Sequence, residues 1–183
     1  VRAIRDTIAK GINVNVTLLF GVEAYKKVAM AYVEGLEERV SKDMAVDRIA
    51  SVASFFVSRI DSKIDDKIDA GVGGDEAKPL KGKVAIANAK LAYAWYEEFV
   101  ASARWQKLAA KGARPQRLLW ASTGTKNPDY PDTLYVDQLI GPDTVNTMPP
   151  KTMDAFRERG TVAPTLQQDV DDARHVIAAQ ARL

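Results

Sequence analysis

The chain has 183 residues and a mass of 20.1 kDa, and 46% of its residues are hydrophobic and 27% charged. This balance excludes a disordered tail, a collagen-like repeat and a disulfide-stapled miniprotein, and it predicts one globular domain. Cysteine is absent, which excludes disulfides and thiolate chemistry and is compatible with a reducing cytoplasm. A net charge of +2 gives no reason to expect a nucleic acid partner. Charge interrupts the longest apolar stretches, so no membrane span is predicted.

The first half of the chain alternates helical and strand-like patterns. The predicted elements are a helix over 1–10, a strand over 12–20, a helix over 23–40, a helical segment over 43–50 and a strand-like run over 51–59. Gly11 supplies a left-handed end for the first helix. The first strand alternates β-branched residues with Asn13, Asn15 and Thr17, which is the period of a strand with one apolar face.

The second half continues the alternation. The predicted elements are a charged, glycine-bearing loop over 61–79, a helix over 80–111, a strand over 117–123, a connection over 124–143, a short strand over 143–149, a helix over 149–160 and an amphipathic helix over 165–182. The acidic residues of the first loop lack the spacing of a calcium site, so we expect them to be solvated: Asp61, Asp65, Asp66 and Asp69.

Strands that alternate with helices predict parallel pairing and an α/β fold. Strands of a doubly wound sheet are usually apolar on both faces, whereas the first strand here has a polar row that includes Asn15 and Thr17. In a (β/α)8 barrel such a row faces the interior near the mouth, where the chemistry of these barrels takes place. We therefore favour the barrel. Four strands do not close an eight-stranded barrel, so the chain corresponds to about half of one.

Polar residues follow or end each of the four predicted strands. They are Asn15 and Thr17 on the first, Ser54, Ser58 and Arg59 on the second, Ser122, Thr123, Thr125 and Lys126 after the third, and Asn146 and Thr147 on the fourth. A single serine or threonine there commonly caps a helix, but the whole set favours a binding site at one rim. Two cations beside hydroxyls suit a phosphate dianion.

Lys126 and His175 have alternative interpretations. A lysine at a strand end is a Schiff-base nucleophile when a dry pocket favours its neutral amine, but the polar neighbours of Lys126 favour ligand contact or plain exposure. His175, the one histidine, lies beside acidic residues in the final predicted helix. This setting favours a solvated helix face over a catalytic triad or a metal cluster, so no metal site is predicted.

Five sequence blocks resemble transaldolases, in particular their bacterial branch with a longer chain. The blocks are GINVNVTLLF (11–20), VASFFVSRID (52–61), GKVAIANAK (82–90), LWASTGTKNP (119–128) and YVDQLIGPDTVNTMP (135–149). The resemblance extends to about residue 160. It implies a (β/α)8 barrel in the cytoplasm that transfers a dihydroxyacetone unit between sugar phosphates of the pentose phosphate pathway. The implied substrates are fructose 6-phosphate, sedoheptulose 7-phosphate, erythrose 4-phosphate and glyceraldehyde 3-phosphate, and a lysine Schiff base replaces any metal or organic cofactor.

The resemblance also implies roles for individual residues. Asn15 and Ser54 would contact hydroxyls of the bound dihydroxyacetone unit, and Thr17 would orient the catalytic water. Arg59 would bind the phosphate, as its position at a strand end independently indicates. Other transaldolase branches have a second arginine after the serine of the seventh strand. This sequence has STGTK there, so Ser122 and Lys126 are the candidates for that role.

One departure from the family is large. The Schiff-base lysine would lie before Val1, on the strand that precedes the opening helix, and the acid–base carboxylates on still earlier strands. We therefore expect the chain by itself to bind substrate and position water without forming the Schiff base. The four predicted strands would be the fifth to the eighth, and the expected partner is the missing N-terminal half-barrel.

Residues 161–183 would be the terminal helix or the start of a linker, which in some relatives leads to a phosphoglucose isomerase. Two alternative functions stay open. One is a non-catalytic half-barrel that binds phosphosugars or assembles with a partner. The other is a different Schiff-base aldolase that uses Lys126.

Overall fold

The structure is a computed structural model that describes residues 1–182 and shows an α/β fold. Its parallel sheet contains the strands Val14–Leu19 (β1), Ser51–Phe56 (β2), Arg117–Ala121 (β3) and Val145–Asn146 (β4). The strands are hydrogen-bonded in the order in which they occur along the chain, β1-β2-β3-β4. This confirms the predicted α/β class and the parallel pairing.

Helices occupy most of the connections between the strands. They are Arg2–Ala9 (α1), Val22–Ser41 (α2), Ser58–Asp69 (α3), Gly74–Ala77 (α4), Val84–Ala101 (α5), Ala103–Ala109 (α6), Leu134–Gln138 (α7), Pro150–Arg159 (α8) and Val170–Gln180 (α9), with a 3-10 turn at Lys78–Leu80. None of the described helices is both long and apolar enough to cross a bilayer.

The main core lies between one face of the sheet and the helices α2 and α5. Phe55 of β2 and Trp120 of β3 point into it and pack edge to face, with ring centroids 6.0 Å apart. Tyr25 of α2 meets Phe55 on one side and Trp95 of α5 on the other. Because successive strand residues point to opposite faces, the intervening Ser54 belongs to the other face. The core therefore leaves Asn15 and Ser54 on the opposite face of the sheet.

The prediction of a helix over 43–50 is wrong, because the chain turns there instead. Asp43 adopts a left-handed φ of 55°, and the amide of Met44 donates to the carbonyl of Arg39. These are features of a helix C-terminus. The Arg39 guanidinium then donates to the carbonyl of Ala45 at 2.9 and 2.8 Å. The Ala45 carbonyl thus accepts from a side chain, and this contact stabilises the turn in place of the backbone hydrogen bonds of a helix.

The prediction of a loop over 61–79, and of a strand that continues to Arg59, is also wrong. β2 ends at Phe56, Arg59 lies in the first turn of α3, and α3 and α4 occupy most of the supposed loop. Isoleucines recur at every fourth position of α3, at Ile60, Ile64 and Ile68, and pack beside residues of α9. This helical period outweighs the dense charge that suggested a loop.

Other boundaries also differ from the predictions: β3 ends at Ala121, β4 contains only Val145–Asn146, and α7 lies within the predicted connection over 124–143. The long helix over 80–111 breaks at Ser102, whose hydroxyl accepts the Trp105 amide at 3.3 Å and caps α6. The terminal helix is shorter than predicted and spans Val170–Gln180.

Candidate functional site

Polar side chains of β1 and β2 meet on the face of the sheet opposite the main core, Asn15 from the second residue of β1 and Ser54 from the fourth residue of β2. Asn15 pairs in register with Val52, and Ser54 lies two residues further along on the same face. The Ser54 hydroxyl donates to Oδ1 of Asn15 at 2.8 Å. Ser54 is only 4% exposed, whereas Asn15 is exposed. The bond fixes the Asn15 amide with its oxygen toward Ser54 and leaves its nitrogen as a donor for a bound group.

Thr17 lies just before an irregularity at the end of β1. The pairing with β2 shifts between Val16 and Leu19, and Leu18 adopts a left-handed φ of 62°. Leu18 is 59% exposed as a result, while Leu19 is buried. Bulges of this kind redirect side chains at the end of a strand. Thr17 is itself exposed, two residues beyond Asn15 and on the same face.

Arg59 lies over an aromatic pair at the carboxyl end of β2. Its guanidinium carbon is 4.9 Å from the centroid of the Phe56 ring, within the range of a cation–π contact. Phe20, just after β1, packs on Phe56 with ring centroids 5.3 Å apart. The sequence analysis missed both phenylalanines. The alternation of β2 was the available signal, because it places Phe56 on the face of Ser54.

Ser58 and Ser122 join α3 to the segment after β3. Their hydroxyl oxygens are 2.9 Å apart, and the Ser58 amide donates to the Ser122 carbonyl at 3.0 Å. Ser122 has a left-handed φ of 59°. This uncommon conformation for a residue other than glycine directs its hydroxyl toward the first turn of α3. The predicted phosphate residues Arg59 and Ser122 therefore lie on elements in direct contact.

Lys126 lies four residues beyond Ser122 and is exposed. Neither Lys126 nor Arg59 forms an ion pair within residues 1–182, so neither cation is neutralised by a carboxylate there. The exposure of Lys126 does not provide the dry surroundings that activate a Schiff-base lysine.

The fourth strand contributes through hydrogen bonds to the segment after β3. The Thr123 hydroxyl donates to Oδ1 of Asn146 at 2.7 Å, and the Thr147 amide donates to the Trp120 carbonyl at 3.1 Å. Thr123 is fully buried. These two contacts fix the backbone before Gly124, so the segment that carries Lys126 begins from a rigid point.

The Schiff-base lysine is expected before Val1. Val1 itself is not one of the predicted site residues. Its side chain is 64% exposed, and its carbonyl accepts the amides of Ile4 and Arg5 at 3.1 and 3.3 Å. Val1 therefore acts as the N-cap of α1, a structural role at the start of a helix. The placement of the lysine before Val1 stays a prediction, because that position lies outside the described residues.

The sequence analysis expected Asp61 and Asp65 to be solvated, and the structure shows the opposite. They lie one helical turn apart on α3 and are 1% and 6% exposed. Asp61 accepts the Ala85 amide at 2.7 Å and the Tyr135 hydroxyl at 2.8 Å. The four-residue spacing of the two acids was a signal that they share one face of a helix.

Burial raises the pKa of Asp61 from its ordinary value of 3.8 to about 6, although the bonds from Ala85 and Tyr135 act against the rise. Removal of a carboxylate from water disfavours its charged form, and here that cost exceeds the gain from the two donors. The acid lies one turn after Ser58 and connects α3 to α5 and α7.

His175 is exposed on α9, as predicted. Within residues 1–182, no group of three acidic or histidine side chains is arranged to hold a metal ion.

Comparison with known proteins assigns the chain to a family. The family model for transaldolase/fructose-6-phosphate aldolase matches residues 1–183. The chain is 54% identical over 180 residues to a transaldolase of Frankia alni, in a match that covers 98% of this chain and 48% of that protein. It is 53% identical over 182 residues to a transaldolase of Trichodesmium erythraeum, with 96% and 48% covered. A transaldolase 2 of Nostoc punctiforme is 55% identical over 183 residues, again with 96% and 48% covered.

The chain spans about half the length of the curated relatives it matches. The family model covers the whole sequence, including the blocks that carry Asn15, Ser54 and Arg59. The chain therefore belongs to the transaldolase/fructose-6-phosphate aldolase family.

Proposed function

We propose that this chain forms strands five to eight of a (β/α)8 barrel, with the helix that precedes the fifth strand. Two observations support this: the chain matches about half of each relative's length, and its strands pair in chain order, as barrel strands do. Residues 1–183 are then the C-terminal portion of one barrel domain. Residues 161–183 form its terminal helix or the start of a linker. The N-terminal half-barrel is the partner that completes the fold.

A hollow at the amino ends of the strands also supports this assignment. It has a volume of about 580 Å³, and its lining includes Asn13, Ala50 and Pro115, which precede the first three strands, together with Asn15. β1 pairs with β2 and with no other strand in residues 1–182. The interior of a closed (β/α)8 barrel is filled by side chains from all its strands. Four further strands would fill the hollow and pair with the open edge of β1.

The reaction that we propose for the completed barrel is transaldolase chemistry. Fructose 6-phosphate or sedoheptulose 7-phosphate gives a three-carbon dihydroxyacetone unit to erythrose 4-phosphate or glyceraldehyde 3-phosphate. The donor ketone condenses with a lysine and releases water. The bond between its third and fourth carbons then breaks as the fourth-carbon hydroxyl loses its proton. No metal or organic cofactor takes part, and the lysine and the acid–base carboxylates come from the N-terminal half.

The observation that carries the proposal is the Asn15–Ser54 hydrogen bond on the sheet face to which Phe56, the ring beneath Arg59, also belongs. Arg59 has no carboxylate partner in the described chain. These side chains supply donors for sugar hydroxyls and a cation for a phosphate. Asn15 and Ser54 bind hydroxyls of the dihydroxyacetone unit. Thr17, exposed on the same face, orients the water that hydrolyses the Schiff base.

The phosphate group is bound by Arg59, Ser122 and Lys126. Arg59 lies in the first turn of α3, where the helix dipole also favours an anion. The Ser58–Ser122 contact keeps the serine hydroxyl at this helix end. Lys126 supplies the second positive charge that other branches of the family obtain from arginine.

Coexpression of this chain with the N-terminal half of the Frankia alni transaldolase tests the proposal. We expect a one-to-one complex with transaldolase activity, measured by a coupled assay with fructose 6-phosphate and erythrose 4-phosphate, and no activity from either half alone. Full activity of the 183-residue chain by itself would contradict the proposed division of labour.

A non-catalytic phosphosugar-binding module is the second candidate, because every proposed phosphate ligand lies within this chain. It predicts a folded monomer that binds fructose 6-phosphate, together with a one-to-one complex that is inactive. An aldolase that uses Lys126 is the third, and it predicts that the chain alone is labelled at Lys126 when fructose 6-phosphate is trapped with borohydride.

A further inference from the structure

The two cations proposed to bind phosphate, Arg59 and Lys126, lie on different elements, and few hydrogen bonds join those elements directly. α3 carries Arg59, and the segment after β3 carries Lys126. The Ser58–Ser122 contacts fix only the start of that segment. From Ser122 to the start of α7 at Leu134 the chain makes turns, and Lys126 lies within them. The position of Lys126 relative to Arg59 therefore depends on a second tie.

Tyr130 makes that tie. Its hydroxyl donates to Oδ2 of Asp65 on α3 at 2.6 Å, across a sequence separation of 65 residues. Burial and the adjacent Asp65 raise the pKa of Tyr130 well above its ordinary value, so the hydroxyl keeps the proton that it donates. Charge-assisted bonds of this length are the strong class of protein hydrogen bond.

Gly82 binds Asp65 and leaves space for the Tyr130 ring. The Gly82 amide donates to Oδ1 of Asp65 at 3.2 Å. Gly82 has a φ of 70°, and a β-carbon at this position would lie 2.8 Å from Cζ of Tyr130. The same glycine thus holds the carboxylate and makes room for the ring, because it alone combines this backbone with no side chain.

We propose that Tyr130, bound to the buried Asp65, is a positioning residue that holds the segment of Lys126 against α3, so that Lys126 and Arg59 bind one phosphate group together. This inference rests on the proposed function, whose phosphate site it deepens. The turn from Asn127 to Tyr130 makes the coupling short: the Tyr130 amide donates to the Asn127 carbonyl, and the Asp129 amide donates to Oδ1 of Asn127. Movement of Tyr130 must therefore move the backbone next to Lys126.

Tyr135 provides a matched control. Its hydroxyl makes the same kind of bond to Asp61 at 2.8 Å, on the same face of α3. It belongs to α7, however, and is buried in the main core rather than joined to the Lys126 turn. Tyr135→Phe removes an equivalent bond without releasing Lys126. Tyr93→Phe, which removes a bond to the Pro142 carbonyl, is a second control should Tyr135→Phe fail to fold.

The test is a titration of this chain, in its one-to-one complex with the N-terminal half of the Frankia alni transaldolase, with fructose 6-phosphate and with inorganic phosphate. The amide chemical shifts of this chain report the binding. We expect Tyr130→Phe to weaken both affinities roughly threefold to tenfold, the loss of part of one charge-assisted contact, and the control variants to change them less than twofold. In a Lys126→Ala background, Tyr130→Phe should cause no further loss, because it acts through Lys126.

Three results would overturn the inference. They are unchanged affinities in Tyr130→Phe, a loss of affinity in Tyr135→Phe equal to that in Tyr130→Phe, and the same threefold to tenfold loss when Tyr130→Phe is added to Lys126→Ala. Failure of the proposed function has a different pattern. If Arg59→Ala and Lys126→Ala both leave phosphate binding unchanged, or the parent chain shows no binding, the phosphate site itself is wrong and the positioning role is overturned with it.

Discussion

At the scale of single residues, the neutral donors and the cation of the candidate site are held in different ways. Asn15 and Ser54 hold one another by a hydrogen bond, whereas Arg59 lies on the Phe56 ring without a carboxylate partner in residues 1–182. The cation–π contact with the Phe56 ring holds the guanidinium in place without neutralising its charge. Arg59 is thus positioned in advance for an anion from solvent.

Arg59→Ala should raise the KM for fructose 6-phosphate in the completed enzyme by about tenfold or more, the value of a charge-assisted hydrogen bond of roughly 1.5–3 kcal/mol. Arg59→Lys should recover part of the loss, because it restores the charge but not the planar fork. Lys63→Ala, on the exposed surface of the same helix, is the charge-matched control. A KM that stays at the parent value in Arg59→Ala would remove Arg59 from the site.

Asp61 gives the fold a predictable dependence on pH. Its folded pKa of about 6 is above the ordinary 3.8, so the folded state favours the neutral acid. The stabilisation that this acid contributes is complete below about pH 4 and is lost as the pH rises through 6. Denaturant unfolding at several pH values should show the free energy of unfolding of the parent chain falling relative to Asp61→Asn by roughly 3 kcal/mol between pH 4 and 7.

Asp66→Asn, on the solvent side of α3, is the matched control for the loss of one negative charge. A constant difference between the parent chain and Asp61→Asn across this range would show that burial does not govern the acid.

Single residues of the site were partly predictable from the sequence. Asn15 was found because it lies in the polar row of an alternating strand, and Ser54 because it belongs to the polar group of the second strand; the structure brings the two into contact. The environment of Asp61 could not be predicted, because Tyr135, its partner, lies 74 residues away. A charged residue in a polar run is usually solvated, and only the packing of α5 and α7 overrides that rule here.

At the scale of elements, close approach of α1 and α2 fixes the entry to β1. A β-carbon at Gly35 of α2 would lie 2.7 Å from Cβ of Ile8 and 2.8 Å from the carbonyl of Arg5. Gly35 therefore permits a helix contact that any larger residue would push apart. Arg39 reinforces it from the next turn by donating to the Ala9 carbonyl at 3.1 Å.

Gly35→Ala should destabilise the chain by about 1–3 kcal/mol through overpacking, despite the better helix propensity of alanine. The midpoint of thermal unfolding measures this loss. Gly21→Ala is the control, because nothing lies within 4 Å of its β-carbon position and its φ of −148° suits any residue. Equal midpoints for the two variants would show that α1 and α2 are not held at this distance.

The helices and strands were predicted well where the sequence has a single clear pattern, either the alternation of a strand or the start and stop signals of a helix. β1, β2 and β3 followed their β-branched and apolar runs, and α8 followed its proline and glycine signals. α3 was missed because the charged residues between its isoleucines are typical of a loop. The break at Ser102 was missed because alanine-rich sequence on both sides continues the helical pattern.

At the scale of the whole molecule, the described sheet packs one face on the main core and carries Asn15, Ser54 and Arg117 on the other. Ile12, Leu18 and Phe20, near the two ends of β1, are all strongly exposed. Exposed apolar groups beside an unpaired strand edge are typical of a surface that another chain segment covers. The size of the chain alone suggested a self-sufficient domain, and the strand count and the half-length match to its relatives changed that interpretation.

Borohydride trapping with fructose 6-phosphate, applied to the complex of this chain with the N-terminal half of the Frankia alni transaldolase, tests the central claim most directly. The account predicts a mass increase of one reduced dihydroxyacetone unit on a lysine of the N-terminal half, none on this chain, and a weaker label in Arg59→Ala. A label on Lys126, or on any other lysine of this chain, would contradict it.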